Sequence, residues 1–136
     1  YDPLSLLREC GRILKNKGLL IVAVPNFGGL ESQLLGTNWF QVDAPRHLYH
    51  FTRETLNKTL HAAGFEVYKW KPKIRLPLYH TSSIRSSTTI DNGGVPSEKQ
   101  VLKLSFSTFF KYIISGDKQS DFSINLIAYA SKRNNA

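Results

Sequence analysis

Six consecutive apolar residues, Leu19-Leu20-Ile21-Val22-Ala23-Val24, stand between Gly18 and Pro25-Asn26. A strand that alternates apolar and polar residues needs cover on one face only. One that is apolar at every position asks for cover on both, as in a parallel strand lying between helical layers. The run is far below the ~18 residues needed to cross a bilayer. Proline cannot donate to a sheet ladder, so Pro25-Asn26 is expected to end the strand.

Helices flank this strand. Asp2 is suited to cap a helix, with Pro3 at the first helical position, where no donor is needed. Leu4, Leu7, Cys10, Ile13 and Leu14 then recur at helical spacing, and the helix is expected to end near Lys15. Asn16-Lys17-Gly18 supplies the turn, through the tolerance of Asn and Gly for positive φ. A second helix starts after Thr52, with Phe51 and Leu56 as a hydrophobic staple. Leu60 and Ala63 continue its apolar stripe, and Gly64 closes it. Phe65 to Lys71 alternates and reads as a half-buried strand near a sheet edge.

Between them, residues 27–50 form a long loop, with Leu30 to Leu35 the one stretch fit for a short helical turn. Residues 72–97 are rich in Ser, Thr, Pro and Gly without periodicity and read as a polar insertion. A third helix is expected over 97–115, with Phe106, Phe109, Phe110, Ile113 and Ile114 on a face that covers the sheet. A last strand follows over 123–131. The order is that of an α/β fold.

The chain has 136 residues, 41% of them hydrophobic, which suits one small domain spanning residues 1–136. Cys10 is the single cysteine, so an internal disulfide and a cysteine-based zinc site are excluded. No charged leader followed by an apolar stretch opens the chain, and a cytoplasmic location is expected. The net charge of +8 is unevenly placed: seven Lys/Arg against six Asp/Glu up to Tyr68, and eleven against four from Lys69 onward. Such a bias suits an anionic partner or a solvated basic face.

Four blocks carry a family resemblance. Tyr1-Asp2-Pro3-Leu4 with Leu7-Arg8-Glu9-Cys10-Gly11-Arg12-Ile13-Leu14-Lys15, and then Gly18 to Asn26, resemble the helix and fifth strand of class I S-adenosylmethionine-dependent methyltransferases. Trp39-Phe40-Gln41-Val42-Asp43-Ala44-Pro45-Arg46-His47-Leu48-Tyr49-His50-Phe51-Thr52 resembles a loop of a bacterial subgroup of that superfamily, and Ala62-Ala63-Gly64-Phe65-Glu66-Val67 resembles the approach to the sixth strand. The chain departs from the family pattern at Asn16-Lys17-Gly18, where proline and paired glycine are usual. It also has no counterpart of the glycine-rich loop after the first strand.

The resemblance implies the C-terminal half of such a domain. It implies a partial Rossmann-like sheet of strands equivalent to the fifth, seventh and sixth, the last in the chain antiparallel and between the other two, with flanking helices. It also implies S-adenosylmethionine as cofactor of the complete enzyme, with no binding expected by this chain alone, and a small-molecule or sugar-like methyl acceptor. The chain alone is expected to lack activity. Gly28-Gly29 lacks the further spaced glycines of a nucleotide loop and reads as a turn.

Sites in open α/β sheets lie outside the carboxyl ends of the strands, which directs attention to Asn26 and the loop after it. Methyl transfer depends on placing a nucleophile in line with the sulfonium methyl, with a base needed only for a protonated acceptor. His47 and His50 are the candidate bases, and Asp43 can hold one of them in a chosen tautomer. Asn26, Trp39 and Arg46 are the candidate acceptor contacts, Arg46 for an anionic group. Each has a structural alternative: a turn for Asn26, core packing for Trp39, a local ion pair for Asp43 and Arg46. Two histidines without a third ligand or a thiol do not make a metal site.

Two non-catalytic readings compete. Lys69, Trp70, Lys71, Lys73 and Arg75 interleave stacking and phosphate-binding residue types, as in a basic nucleic-acid-binding or protein-interaction module. An edge strand that uses Lys against aggregation is the favoured account of them. The third helix, with Lys103 and Lys111 beside its Phe and Ile residues, has the composition of a membrane-surface helix, although covering the sheet is the more economical use. The strand over 19–24, deprived of its usual neighbour, is expected to drive self-association.

Overall fold

The computed structural model describes residues 2–42, 45–73 and 123–133, and seven separate positions between 99 and 114. Helix α1 (Pro3–Ile13) leads to strand β1 (Leu19–Pro25), a short helix α2 (Leu30–Leu35), a 3-10 turn (Gly36–Asn38), helix α3 (Arg53–Ala62), strand β2 (Phe65–Lys73) and strand β3 (Asn125–Lys132).

Local chemistry sets the ends of the helices. The Asp2 carboxylate accepts from the backbone N–H groups of Leu4 at 3.1 Å and Ser5 at 3.0 Å, and from the Ser5 hydroxyl at 2.6 Å. The Ser5 hydroxyl and those N–H groups hold its carboxyl below the usual carboxylate range. Helix α1 stops at Ile13, short of Lys15, because Leu14 is already extended. Positive φ falls on Lys17, at 63°. Gly18 is needed for a different reason: a Cβ there would lie 2.6 Å from Leu14 Cγ and 2.8 Å from the Lys15 carbonyl oxygen. Thr52 and Thr55 cap α3 reciprocally, and Gly64 ends it at φ 90°.

The sheet order is β1-β3-β2, with β3 antiparallel to both neighbours, so β1 and β2 run parallel to each other as the two edges. One face carries Leu20, Val22 and Val24 of β1, Leu126, Ala128 and Ala130 of β3, and Val67 and Trp70 of β2. Leu7 of α1 and Leu56 and Leu60 of α3 close over it with Phe65, forming the main core. Burying a leucine such as Leu60, 0% exposed, stabilises by about 2 kcal/mol.

The opposite face departs from the expected double cover. The strand order makes β1 an edge strand, and Leu19, 48% exposed, and Ile21, 53% exposed, leave one of its faces bare among the described residues. An unbroken apolar run shows that both faces favour cover and does not supply the second layer. The described positions of the third helix, Lys99, Leu102, Lys103, Phe106, Ser107, Phe110 and Ile114, are helical. Phe106, Phe110 and Ile114 are exposed, and Phe109 and Ile113 of the expected covering face lie outside the described residues.

Strand β2 runs past Lys71 through Pro72 and Lys73, with a bulge between Val67 and Lys69. Pro72 is tolerated because the outer side of an edge strand needs no donor. The rest of the polar insertion lies outside the described residues. Strand alternation sends Trp70 toward the helices and Lys69 and Lys71 to the other face, where Lys71 Nζ sits 5.4 Å from the Tyr129 ring centroid. The stacking residue and these lysines therefore lie on opposite faces of the sheet. No helix among the described residues is long and apolar enough to cross a membrane.

Candidate functional site

Three segments meet at Asn26, immediately after β1. Its backbone N–H donates to the Ile124 carbonyl at 2.8 Å, and it forms a parallel bridge with Phe51, the residue before the α3 cap. Phe27 N–H donates to the Phe51 carbonyl at 2.9 Å. The Asn26 side chain is 2% exposed, with Nδ2 donating to the Ser123 carbonyl at 2.9 Å and Oδ1 accepting from Gly28 N–H at 3.2 Å. Gly29 completes the junction. A Cβ there would stand 3.0 Å from both Asn26 Nδ2 and the Ser123 carbonyl oxygen, so close approach requires glycine.

The loop beyond folds on a second small core. Trp39, 1% exposed, packs with Ile124, Phe40 and Val42. Its indole Nε1–H donates to Glu31 Oε2 at 3.0 Å in a buried contact. Phe27 lies against Trp39 at 6.5 Å between ring centroids, and stacks on His50 at 5.0 Å with the rings 27° apart. His50 Nδ1 is buried and meets no hydrogen-bond partner among the described residues.

His47 is held differently. Its Nδ1 lies 3.0 Å from the Gln41 carbonyl, which can only accept. Nδ1 therefore carries the proton, and in the neutral ring Nε2 keeps the lone pair a base uses. Gln41 is itself buried and donates from Nε2 to Asn125 Oδ1 at 3.1 Å, which ties the His47 loop to β3.

An open cavity of about 580 Å3 sits beside Asn26, lined by Asn26, Gly28, Thr52, Arg53, Glu54, Asn57 and Trp70. Its floor is the carboxyl end of β1, and its walls are the first turns of α3 and the helix-side face of β2. The Arg53 guanidinium carbon lies 5.1 Å from the Trp70 ring centroid. Glu54 pairs with Lys58 at 2.6 Å, and Lys58 holds its carboxyl below the usual range, through the hydrogen bond first and its charge second.

A family model described as a methyltransferase domain matches residues 1–69, half of the chain, from α1 into β2. The chain belongs to the methyltransferase domain family. No curated protein matches it.

Membership of the methyltransferase domain family implies S-adenosylmethionine as the methyl donor of the complete enzyme. The described residues do not fit a cradle for it. Gly28-Gly29, the glycine pair after β1, packs on Asn26, Thr52 and the Ser123 carbonyl, so its lack of side chains serves the protein's own packing. The next helix, α2, has six residues, and the Ser32 hydroxyl closes its start onto the Phe27 and Gly29 carbonyls.

Of the residues expected at the site, Asn26 forms the junction and His50 stacks on Phe27 beside it, while His47 is held at the Gln41 carbonyl and does not line the cavity. Trp39 lies beneath the junction in the small core. Arg46 is exposed on a turn, and Asp43 lies outside the described residues. Arg53, Asn57 and Trp70, which line the cavity, were not singled out as acceptor contacts from sequence. Neither were Glu31 and Gln41. The signal for the cavity was Arg53 and Asn57 at i, i+4 on the helix that begins where the loop ends. Among the described residues no three His, Cys, Asp or Glu side chains gather closely enough to hold a metal ion.

Proposed function

We propose that this chain forms the acceptor side of a methyltransferase and binds a small hydroxylated, sugar-like molecule in the cavity beside Asn26. The observation that carries the reading is the position of that cavity. It opens at the carboxyl end of β1, where ligands of open α/β sheets bind, and its volume suits a small ligand. Thr52, Arg53 and Asn57 in the lining offer polar partners to hydroxyl groups, and Trp70 offers an aromatic face. In this reading Asn26, whose amide is engaged within the chain, fixes the floor. His47, with Nε2 as its basic nitrogen, is the base this reading assigns, on the loop beside the junction and outside the residues that line the cavity. In this reading the methyl donor is held by a part of the complete enzyme other than this chain, and this chain alone transfers no methyl group.

Ligand-observed NMR with a panel of monosaccharides and nucleosides, against single-stranded RNA, tests the proposal. Small hydroxylated molecules should bind, and Asn57→Trp, a surface change that fills the cavity, should abolish their binding. Salt-sensitive binding of RNA with no small-molecule binding would favour the non-catalytic basic module instead. Calorimetry with S-adenosylmethionine should show no binding by this chain, and tight binding would contradict the assignment of the cofactor site elsewhere.

The bare edge of β1 supports self-association as part of this reading. Leu19 and Ile21 are exposed on one side of a strand whose outer N–H and C=O groups face no strand among the described residues. A two-fold pair joined edge to edge satisfies both copies at once. Light scattering over a dilution series should show a dimer that Ile21→Lys shifts toward monomer. A monomer at all concentrations, with slow amide exchange along 19–24, would sink this arrangement.

A further inference from the structure

We infer that the acceptor carries an oxyanion, a carboxylate or phosphate on a hydroxylated small molecule, and that Arg53 is the residue that receives it; this rests on the acceptor cavity proposed above.

Arg53 is the first residue of α3 and lines the cavity with Trp70 from β2. A guanidinium resting 5.1 Å from an indole centroid has part of its freedom already restricted, so less is lost when it meets a ligand. Its planar fork matches the two oxygens of a carboxylate or phosphate. Asn57 lies one turn further along the same face of α3, and its amide offers a donor and an acceptor to neighbouring hydroxyls.

The Thr52 hydroxyl already accepts from Thr55 N–H at 3.2 Å, so the capped start of α3 is engaged within the chain. The Glu54 carboxylate would oppose an anion, but Lys58 compensates it at 2.6 Å. Arg53 is the cation among the residues that line the cavity. Trp70 acts through Arg53 as a positioning residue, and Asn57 reads the hydroxylated part of the ligand.

Proton–nitrogen NMR titration of the chain with glucose 6-phosphate, glucuronate, glucose and inorganic phosphate decides the matter. Glucose 6-phosphate and glucuronate should move the Arg53 Nε–H, Asn57 side-chain amide and Trp70 indole signals, each binding ~10-fold or more tightly than glucose. Arg53→Gln should bring both down to the affinity of glucose, while Arg53→Lys recovers only part. Because Arg53 is exposed, an unchanged amide spectrum elsewhere will show that the variants fold. Equal affinity for glucose and the charged sugars, or no effect of Arg53→Gln, would overturn the oxyanion inference and leave the cavity reading standing. Inorganic phosphate binding as tightly as glucose 6-phosphate would overturn the acceptor class. If none of the four moves the cavity signals, the cavity reading falls and this inference falls with it.

Discussion

Asn26 donates its side-chain amide to the backbone carbonyl of Ser123 at 2.9 Å, joining the end of β1 to the start of β3 across 97 residues of chain. The contact is buried, and the same side chain accepts from Gly28 N–H. Asn26→Ala leaves a carbonyl and an N–H unpaired and should cost about 1–3 kcal/mol. Asn26→Asp retains the acceptor but turns an oxygen toward the Ser123 carbonyl, and should cost at least as much. The shift in denaturation midpoint at constant slope measures both.

The Glu31–Trp39 pair gives a second expectation. Glu31→Ala removes the acceptor of a buried indole N–H and should destabilise by about 1–3 kcal/mol, whereas Glu31→Gln keeps an acceptor oxygen and should cost less. Urea titrations followed by tryptophan fluorescence compare the two.

Two glycines should respond in opposite directions. A Cβ at Gly11, within α1, would meet the Phe65 ring at 3.6 Å, an ordinary contact, so Gly11→Ala should stabilise by about 0.5–1 kcal/mol through helix propensity. At Gly29 the nearest atoms include two backbone oxygens at 3.0 and 3.1 Å, which cannot swing away. Gly29→Ala should destabilise, and thermal melts of the two variants should move apart from the parent in opposite directions.

Much of this architecture was legible in the sequence because its causes are local. Asp2-Pro3 and Thr52 mark helix starts by the atoms they offer, and Gly64 marks an end by the φ it tolerates. The sheet direction and the α/β order came from the resemblance and the hydrophobic pattern. What stayed hidden depends on contacts between distant segments. Nothing near Gln41 in the chain shows that it reaches Asn125, or that its carbonyl sets the His47 tautomer. Trp70 read as a partner of its neighbouring lysines, yet a strand separates neighbours onto opposite faces, and α3 places Arg53 against it. Leu19 to Val24 showed that two faces favour cover without showing which elements provide it.

Acid should weaken the fold through Asp2, Glu9 and Glu54, whose carboxyls are held below their usual values by Ser5 and two N–H groups, by Arg12 and by Lys58 respectively. A carboxyl lowered in the folded state contributes stability above its unfolded value, and loses it as pH falls through the folded one. Stability should therefore decline below about pH 4, the ordinary carboxylate range. The decline should be shallower in Asp2→Asn, whose side chain still caps without titrating. Melting temperatures by circular dichroism between pH 7 and pH 3 check the slope.

Labelled methyl transfer from S-adenosylmethionine to hydroxylated small molecules, measured on the complete enzyme that carries these residues, tests the acceptor cavity most directly. Filling the cavity with Asn57→Trp should reduce kcat/KM by ~100-fold or more, through loss of acceptor positioning, while cofactor affinity stays unchanged. An unchanged kcat/KM in Asn57→Trp would show that the acceptor binds elsewhere and contradict the account.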